Sequence, residues 1–281
     1  MAIGLSLRRK DCQLARAVPR HTRMLIAASI ALGALIALAG QAVAAPPADR
    51  GGGGSGGVAS GYDISYPQCG GAYPLGPTFA IVGVNGGIVF SANPCLASEI
   101  SWAGGSLGQL YANTGNPGPA LSSHWPVGQT SPRFCDGANP DTADCAFDYG
   151  YNAAAQSYAT ALGAYGQLGL TATPSGARWW LDVETSNSWR PNVSLNVAAL
   201  QGEVAYLRDV AAVQNIGFYS TQQQWNTITG GTLVFNAQPS WLAGASSIKD
   251  AMSRCGRLGF TGAAIVYVQY PYQGFDANAA C

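Results

Sequence analysis

The stretch RWWLDVETSNSW, residues 178–189, sets two carboxylates, Asp182 and Glu184, two positions apart in an otherwise apolar and aromatic run. Only 10% of the chain is charged, so a pair of acids in such a segment needs a reason. Strand side chains alternate between faces. Trp179, Leu181 and Val183 therefore share one face, and Trp180, Asp182 and Glu184 the other. Two residues of strand rise separate the carboxylates by roughly 6.5 Å at their Cα atoms. At an effective dielectric of about 20, two negative charges that far apart repel by roughly 2.5 kcal/mol. That is enough to keep one carboxyl protonated near neutral pH while the other ionises. A protonated acid beside a carboxylate is the arrangement that cleavage of a glycosidic bond uses. The competing reading is a buried salt-bridge network, which needs cations. Arg178 is on the right face but at the far end of the strand, so catalytic or ligand-binding use is expected.

The pair needs a frame. Short apolar or β-branched runs recur as GYDIS (61–65), FAIVGVN (79–85), GQLYAN (108–113), RWWLDVE (178–184), IGFYS (216–220), SWLAG (240–244), AAIVYVQY (263–270) and FDAN (275–278). Helical patterns fall between them at 93–104, 148–169 and 194–214, the last with Ser194 as its expected N-cap. Alternating strand and helix argues for an α/β fold with a parallel sheet. Eight strands argue for closure into a TIM-like β/α barrel, incomplete because helices are missing after the later strands. Glu184 would then stand at the C-terminal end of the fourth strand, where barrel enzymes keep their chemistry. The segment 114–144 is rich in Pro, Gly and Ser. Its length marks it as a functional loop on that same face.

Residues 1–45 read as a secretory signal. A basic start is followed by the 17-residue apolar run Met24–Gly40 and by Ala42 and Ala44 at cleavage spacing. Loss of that segment removes six basic residues and one acid, leaving 8 basic against 13 acidic, a net charge of −5. Such a balance excludes nucleic-acid binding by charge. No stable membrane span is expected after cleavage. Residues 46–57 read as a Gly/Ser-rich linker, and 58–281 as one barrel domain. Cys69, Cys95, Cys135, Cys145, Cys255 and Cys281 remain, an even set that reads as three disulfides in an exported chain. Their connectivity does not follow from sequence; pairing of neighbours (69–95, 135–145, 255–281) is the working expectation. With no C-x-x-C pair and His124 the one histidine beyond residue 45, neither metal nor cofactor is expected.

The motifs, taken in order, resemble glycoside hydrolase family 25, the N-acetylmuramidases or Chalaropsis-type lysozymes. GYDISYPQ is similar to the family's opening G-x-D-V-S-x-x-Q, and LDVE matches its Asp-x-Glu signature. LYAN, FYST with Trp225 five residues on, SWLA, VQY and GFDAN are similar to later strands. The resemblance covers about 220 residues. It implies a secreted, cell-wall-directed muramidase that cleaves β-1,4 bonds of peptidoglycan by substrate-assisted retention and acts as a monomer. Glu184 would be the general acid and Asp182 the group assisting the substrate's 2-acetamido, with Asp63 and Asp276 orienting the pair. Tyr219, Gln269 and Asn113 would contact substrate. Trp125 and Trp189, and less readily Trp241, would stack on sugar rings, while His124 reads as a loop hydrogen-bonder. Departures from the family pattern fall at Gly83, Gly86, Ala112 and Val268, which the resemblance places in the groove. A catalytically silent glycan-binding barrel and a hydrolase of another polysaccharide are the alternatives.

Overall fold

The computed structural model describes residues 60–281. The signal and linker assigned above lie outside the described residues. Eight strands close into a barrel in sequence order: β1 (Ser60–Ile64), β2 (Ala80–Gly83), β3 (Gln109–Asn113), β4 (Trp179–Asp182), β5 (Ile216–Ser220), β6 (Ser240–Leu242), β7 (Ile265–Tyr272) and β8 (Phe275–Ala280). Every strand expected from sequence is present. Around them run α1 (Leu96–Trp102), α2 (Ala143–Gln167), α3 (Val193–Ala205), α4 (Gln222–Thr229) and α5 (Ile248–Arg254).

The helix layer thins rather than stops. Short helices α4 and α5 follow β5 and β6, and an α-helix is missing only between β1 and β2 and between β7 and β8 among the described strands. The sheet is mixed, not all parallel: β8 runs antiparallel to both β7 and β1. Gln273 and Gly274 explain this. Both have positive φ, 52° and 81°, the requirement of a two-residue I′ hairpin turn. A connection that short can join only antiparallel strands.

Alternation along each strand divides the apolar side chains in two. Trp179, Leu181, Val183, Leu110 and Phe218 pack outward in the main core under the helices. Ile81, Trp180, Trp241 and Tyr267 fill the barrel interior. The deepest helix contact is between α2 and α3, and glycine makes it possible. A Cβ on Gly150 would lie 1.9 Å from the Ala199 carbonyl oxygen, and one on Gly202 1.9 Å from that of Phe147. The sequence pattern begins α2 at 148, but Thr142 caps it earlier by accepting from the Cys145 amide. Asn192, not Ser194, caps α3; its side chain accepts from the Ser194 amide.

Disulfides join Cys69–Cys95, Cys135–Cys145 and Cys255–Cys281, the neighbour pairing expected. The long connection after β3 is ordered around the second of them. Trp125, Cys135, Cys145 and Tyr149 form a satellite core, and Asp141 takes a two-pronged ion pair from Arg190 at 2.6–2.8 Å.

The helix contact yields a paired prediction. Gly150→Ala should destabilise the fold by about 1–3 kcal/mol through overpacking. Gly163→Ala, on the same helix with open space around it, should be neutral or stabilising by up to about 1 kcal/mol. Denaturant unfolding measures both, and equal effects would contradict the close crossing.

Candidate active site

Strand polarity gathers the acids. Asp182 ends β4, and Glu184 follows it into the next loop. Asp63 lies near the C-terminal end of β1 and pairs in register with Asp276 near the start of β8. Because β8 is antiparallel, its beginning is at the same barrel end where β1 and β4 finish. A cavity of about 130 Å³ results, lined by Asp63, Asp182, Glu184 and Asp276 with Tyr111, Tyr219, Trp241 and Gln269. It continues into a groove of about 360 Å³ that adds Asn113, Ser65, Tyr66, Gln68 and Asn187.

Amides hold two of the acids in place. Asn113 Nδ2 donates to Asp182 Oδ2 at 2.6 Å. Asn278 Nδ2 donates to Asp63 Oδ1 at 2.6 Å, and Gln269 Nε2 reaches the same carboxylate at 3.1–3.2 Å. Each amide is oriented in turn. Tyr219 OH donates to Gln269 Oε1 at 2.8 Å, and Trp241 Nε1 to Asn278 Oδ1 at 2.7 Å. With the oxygens taken, the NH₂ groups must point at Asp63.

No cation neutralises the cluster. The four ion pairs among the described residues, Arg133–Asp144, Arg190–Asp141, Arg208–Asp209 and Arg254–Asp250, all lie elsewhere. The salt-bridge reading of the acid pair is therefore not what the described residues form. Instead, carboxyl pKa values climb. Burial, then the Glu184 charge, holds Asp182 well above the usual range. Glu184 is raised chiefly by burial, against hydrogen bonds from Gln224 and Asp182. Asp63 is pushed up to about 7 by burial and the Asp276 charge, in spite of its two amide donors. Desolvation also raises Asp276.

The Asp182 and Glu184 side chains act on each other, an interaction that raises the Asp182 pKa and lowers that of Glu184. Two carboxylates can touch only if a proton lies between them. Asp182 Oδ1 is buried and has no hydrogen-bond partner, so a proton seated there and directed at Glu184 would satisfy it. Groups that interact this way titrate as a unit, and burial together with the Glu184 charge favours the proton on Asp182.

The remaining candidates divide. Tyr219, Gln269 and Asn113 meet at the acids, and Trp241 forms part of the cavity wall. Trp125 does not: it is buried under the long loop, its indole donating to the Pro140 carbonyl. Trp189 packs against the main core and donates to the Glu184 carbonyl at 2.7 Å. It braces the acid's backbone rather than facing the groove. Ala112 and Val268 are also corrected. Both point outward into helix-side cores, so neither shapes the groove. Gly83 does, by making room: a Cβ there would sit 2.6 Å from the Tyr111 ring. His124 stacks on Phe90 instead of serving mainly as a hydrogen-bonder.

Three contributors were missed by the sequence reading. Tyr111 shares the inward face of β3 with Asn113, and strand alternation could have found it. Asn278 lies two positions beyond Asp276 on an inward face, again detectable. Gln224, which from α4 accepts from the Thr185 amide and hydroxyl and lowers the Glu184 pKa, carried no signal because the contact depends on how α4 docks. Among the described residues, no group of His, Cys, Asp and Glu is arranged to hold a metal ion.

The family model described as "Lysozyme-like protein 1" matches residues 140–249, a span from α2 through β6 that includes Asp182 and Glu184. A 71-residue stretch is 36% identical to "Probable GH family 25 lysozyme 4" of Dictyostelium discoideum, covering 25% of this chain and 32% of that protein. The match thus spans about a third of that relative's length. A muramidase structure from Trichobolus zukalii is 18% identical over 79% of this chain and 93% of that one, with a TM-score of 0.48. The modular autolysin LytC of Streptococcus pneumoniae is 13% identical over 80% of this chain and 47% of that one, with a TM-score of 0.50; the likeness is one of fold. The sequence likeness to lysozymes is thus confined to part of the chain.

Raised carboxyl pKa values make stability depend on pH. The unfolded chain releases these protons near the ordinary 3.8, whereas folded Asp63 holds its own to about 7. In that window the folded state binds more protons, so stability falls as pH rises. Asp182→Asn keeps the Asn113 contact and offers Glu184 a permanent donor. Its melting temperature should exceed the parent's at pH 8 by more than at pH 4.5. A larger gain at pH 4.5 would show that Asp182 is ionised in the fold.

Proposed function

We propose that the domain is a secreted glycoside hydrolase that cleaves β-1,4 bonds of peptidoglycan, with an N-acetylmuramidase-like, substrate-assisted retaining mechanism. The observation that carries this reading is the convergence of four carboxyl groups, unpaired with any cation among the described residues, in one open groove. An isolated binding groove gains nothing from repelling acids that raise one another's pKa. The fold neighbour LytC was solved with a synthetic peptidoglycan ligand, which supports the substrate class.

The resting proton suggests how the steps run. An acetamido N–H arriving at Asp182 favours the ionised carboxylate there. The proton then moves to Glu184, which delivers it to the leaving glycosidic oxygen. The acetamido oxygen, aligned by Asp182, attacks the anomeric carbon, and Glu184 then activates the water that opens the resulting ring. Tyr219 contacts the acetamido group. Asp63 and Asp276 maintain the field that keeps the pair singly protonated. General acid catalysis of this kind contributes about 10²–10⁴-fold.

The test uses protein recovered from the culture medium of an expressing host, whose amino terminus this reading puts near Ala45. Incubation with purified peptidoglycan should release new reducing ends. Glu184→Gln should lower the rate by about 10²–10⁴-fold with little change in sedimentation with the wall. Equal sedimentation of both proteins without release would leave a glycan-binding barrel. Release from a different polysaccharide alone would redirect the substrate but keep the acids.

A further inference from the structure

Beside the acid groove lies a second cavity of about 310 Å³, within the range of small-ligand pockets. The two share Ser186 and Asn187 in their walls, so a chain lying over the acids can continue into it. Its outer wall comes from the long disulfide-bearing loop, through Leu121, Ser122, Ser123 and His124. None of the residues lining it is Asp, Glu, Lys or Arg.

Its floor carries an aromatic platform. The His124 and Phe90 rings stack with centroids 4.3 Å apart and planes within 2°, and Tyr149 meets Phe90 edge-on at 5.1 Å. Phe90 holds φ at 61°, a left-handed conformation that costs a bulky residue energy and sets the ring in place. Serine hydroxyls and the Asn187 amide surround this platform. The rest of the loop is fixed by the Cys135–Cys145 bridge and the Arg190–Asp141 ion pair, so little ordering remains to be done on binding.

We propose that this cavity is an additional glycan subsite for a neutral hexopyranose unit of the strand that occupies the acid groove. A pyranose offers apolar C–H faces and hydroxyl edges, which suit an aromatic platform ringed by hydroxyls and an amide. A carboxylate-bearing lactyl group or peptide stem would find no cation there. The subsite rests on the hydrolase reading above for its substrate class, yet it fails or stands separately.

Titration calorimetry with chitohexaose and chitotriose on the Glu184→Gln protein separates the two. The hexaose should bind more tightly than the triose. His124→Ala and Ser123→Trp, both at exposed loop positions and each combined with Glu184→Gln, should weaken hexaose binding by about tenfold and leave triose binding unchanged. Hexaose affinity that ignores both substitutions, or no measurable hexaose binding by the parent, would overturn the subsite. Hexaose binding that depends on His124 and Ser123, in a protein whose wild type releases no reducing ends from peptidoglycan, would instead sustain the subsite and defeat the hydrolase reading.

Discussion

One constraint governs this barrel: two carboxyl groups are forced together in a buried mouth with no ion pair to neutralise them among the described residues. A buried ion pair would have stabilised Asp182 at low pKa and ended its chemistry. Without such a pair, burial and the Glu184 charge push the Asp182 pKa upward, and a proton on the pair would relieve the strain. Asn113 fixes one oxygen of Asp182, the other is buried with no hydrogen-bond partner, and the Glu184 charge raises its pKa further. The surrounding structure is arranged to preserve that state. Asp63 and Asp276 add negative potential, and amides anchored by Tyr219 and Trp241 hold Asp63.

The closing hairpin links fold to site. Were β8 parallel, Asp276 would start at the opposite end of the barrel from Asp182. The I′ turn at Gln273-Gly274 reverses the chain and brings Asp276 beside Asp63. A local backbone preference thus sets the geometry of the acid ring. Trp189 has a comparable supporting role: its indole holds the Glu184 carbonyl and so fixes where the strand releases that residue into the mouth.

Much of this was legible in the chain because strand alternation is a strict rule. It assigned Trp180, Asp182 and Glu184 to the interior and Trp179, Leu181 and Val183 to the helix side, and the cores divide that way. The same rule, applied to β3 and β7, would have removed Ala112 and Val268 from the groove and supplied Tyr111. What alternation cannot see is the placement of loops. Trp125 looked available for stacking, but it is buried in a satellite core built on a disulfide. His124, one residue before it, is exposed instead. The docking of α4 that sends Gln224 to Glu184 likewise depends on packing that no local pattern encodes. Helix starts shifted for a related reason, since Thr142 and Asn192 cap earlier than the apolar periodicity begins.

The shared proton can be observed directly. Carbon-13 NMR of side-chain carboxyls, in protein labelled at Asp and Glu, follows each group through a pH titration. One proton should remain on the Asp182–Glu184 pair through pH 7, with the two resonances moving together and Asp182 the last to ionise. If both carboxyls titrate independently and are fully ionised by pH 5, no proton is held between them, and the acid chemistry assigned to this barrel has no source.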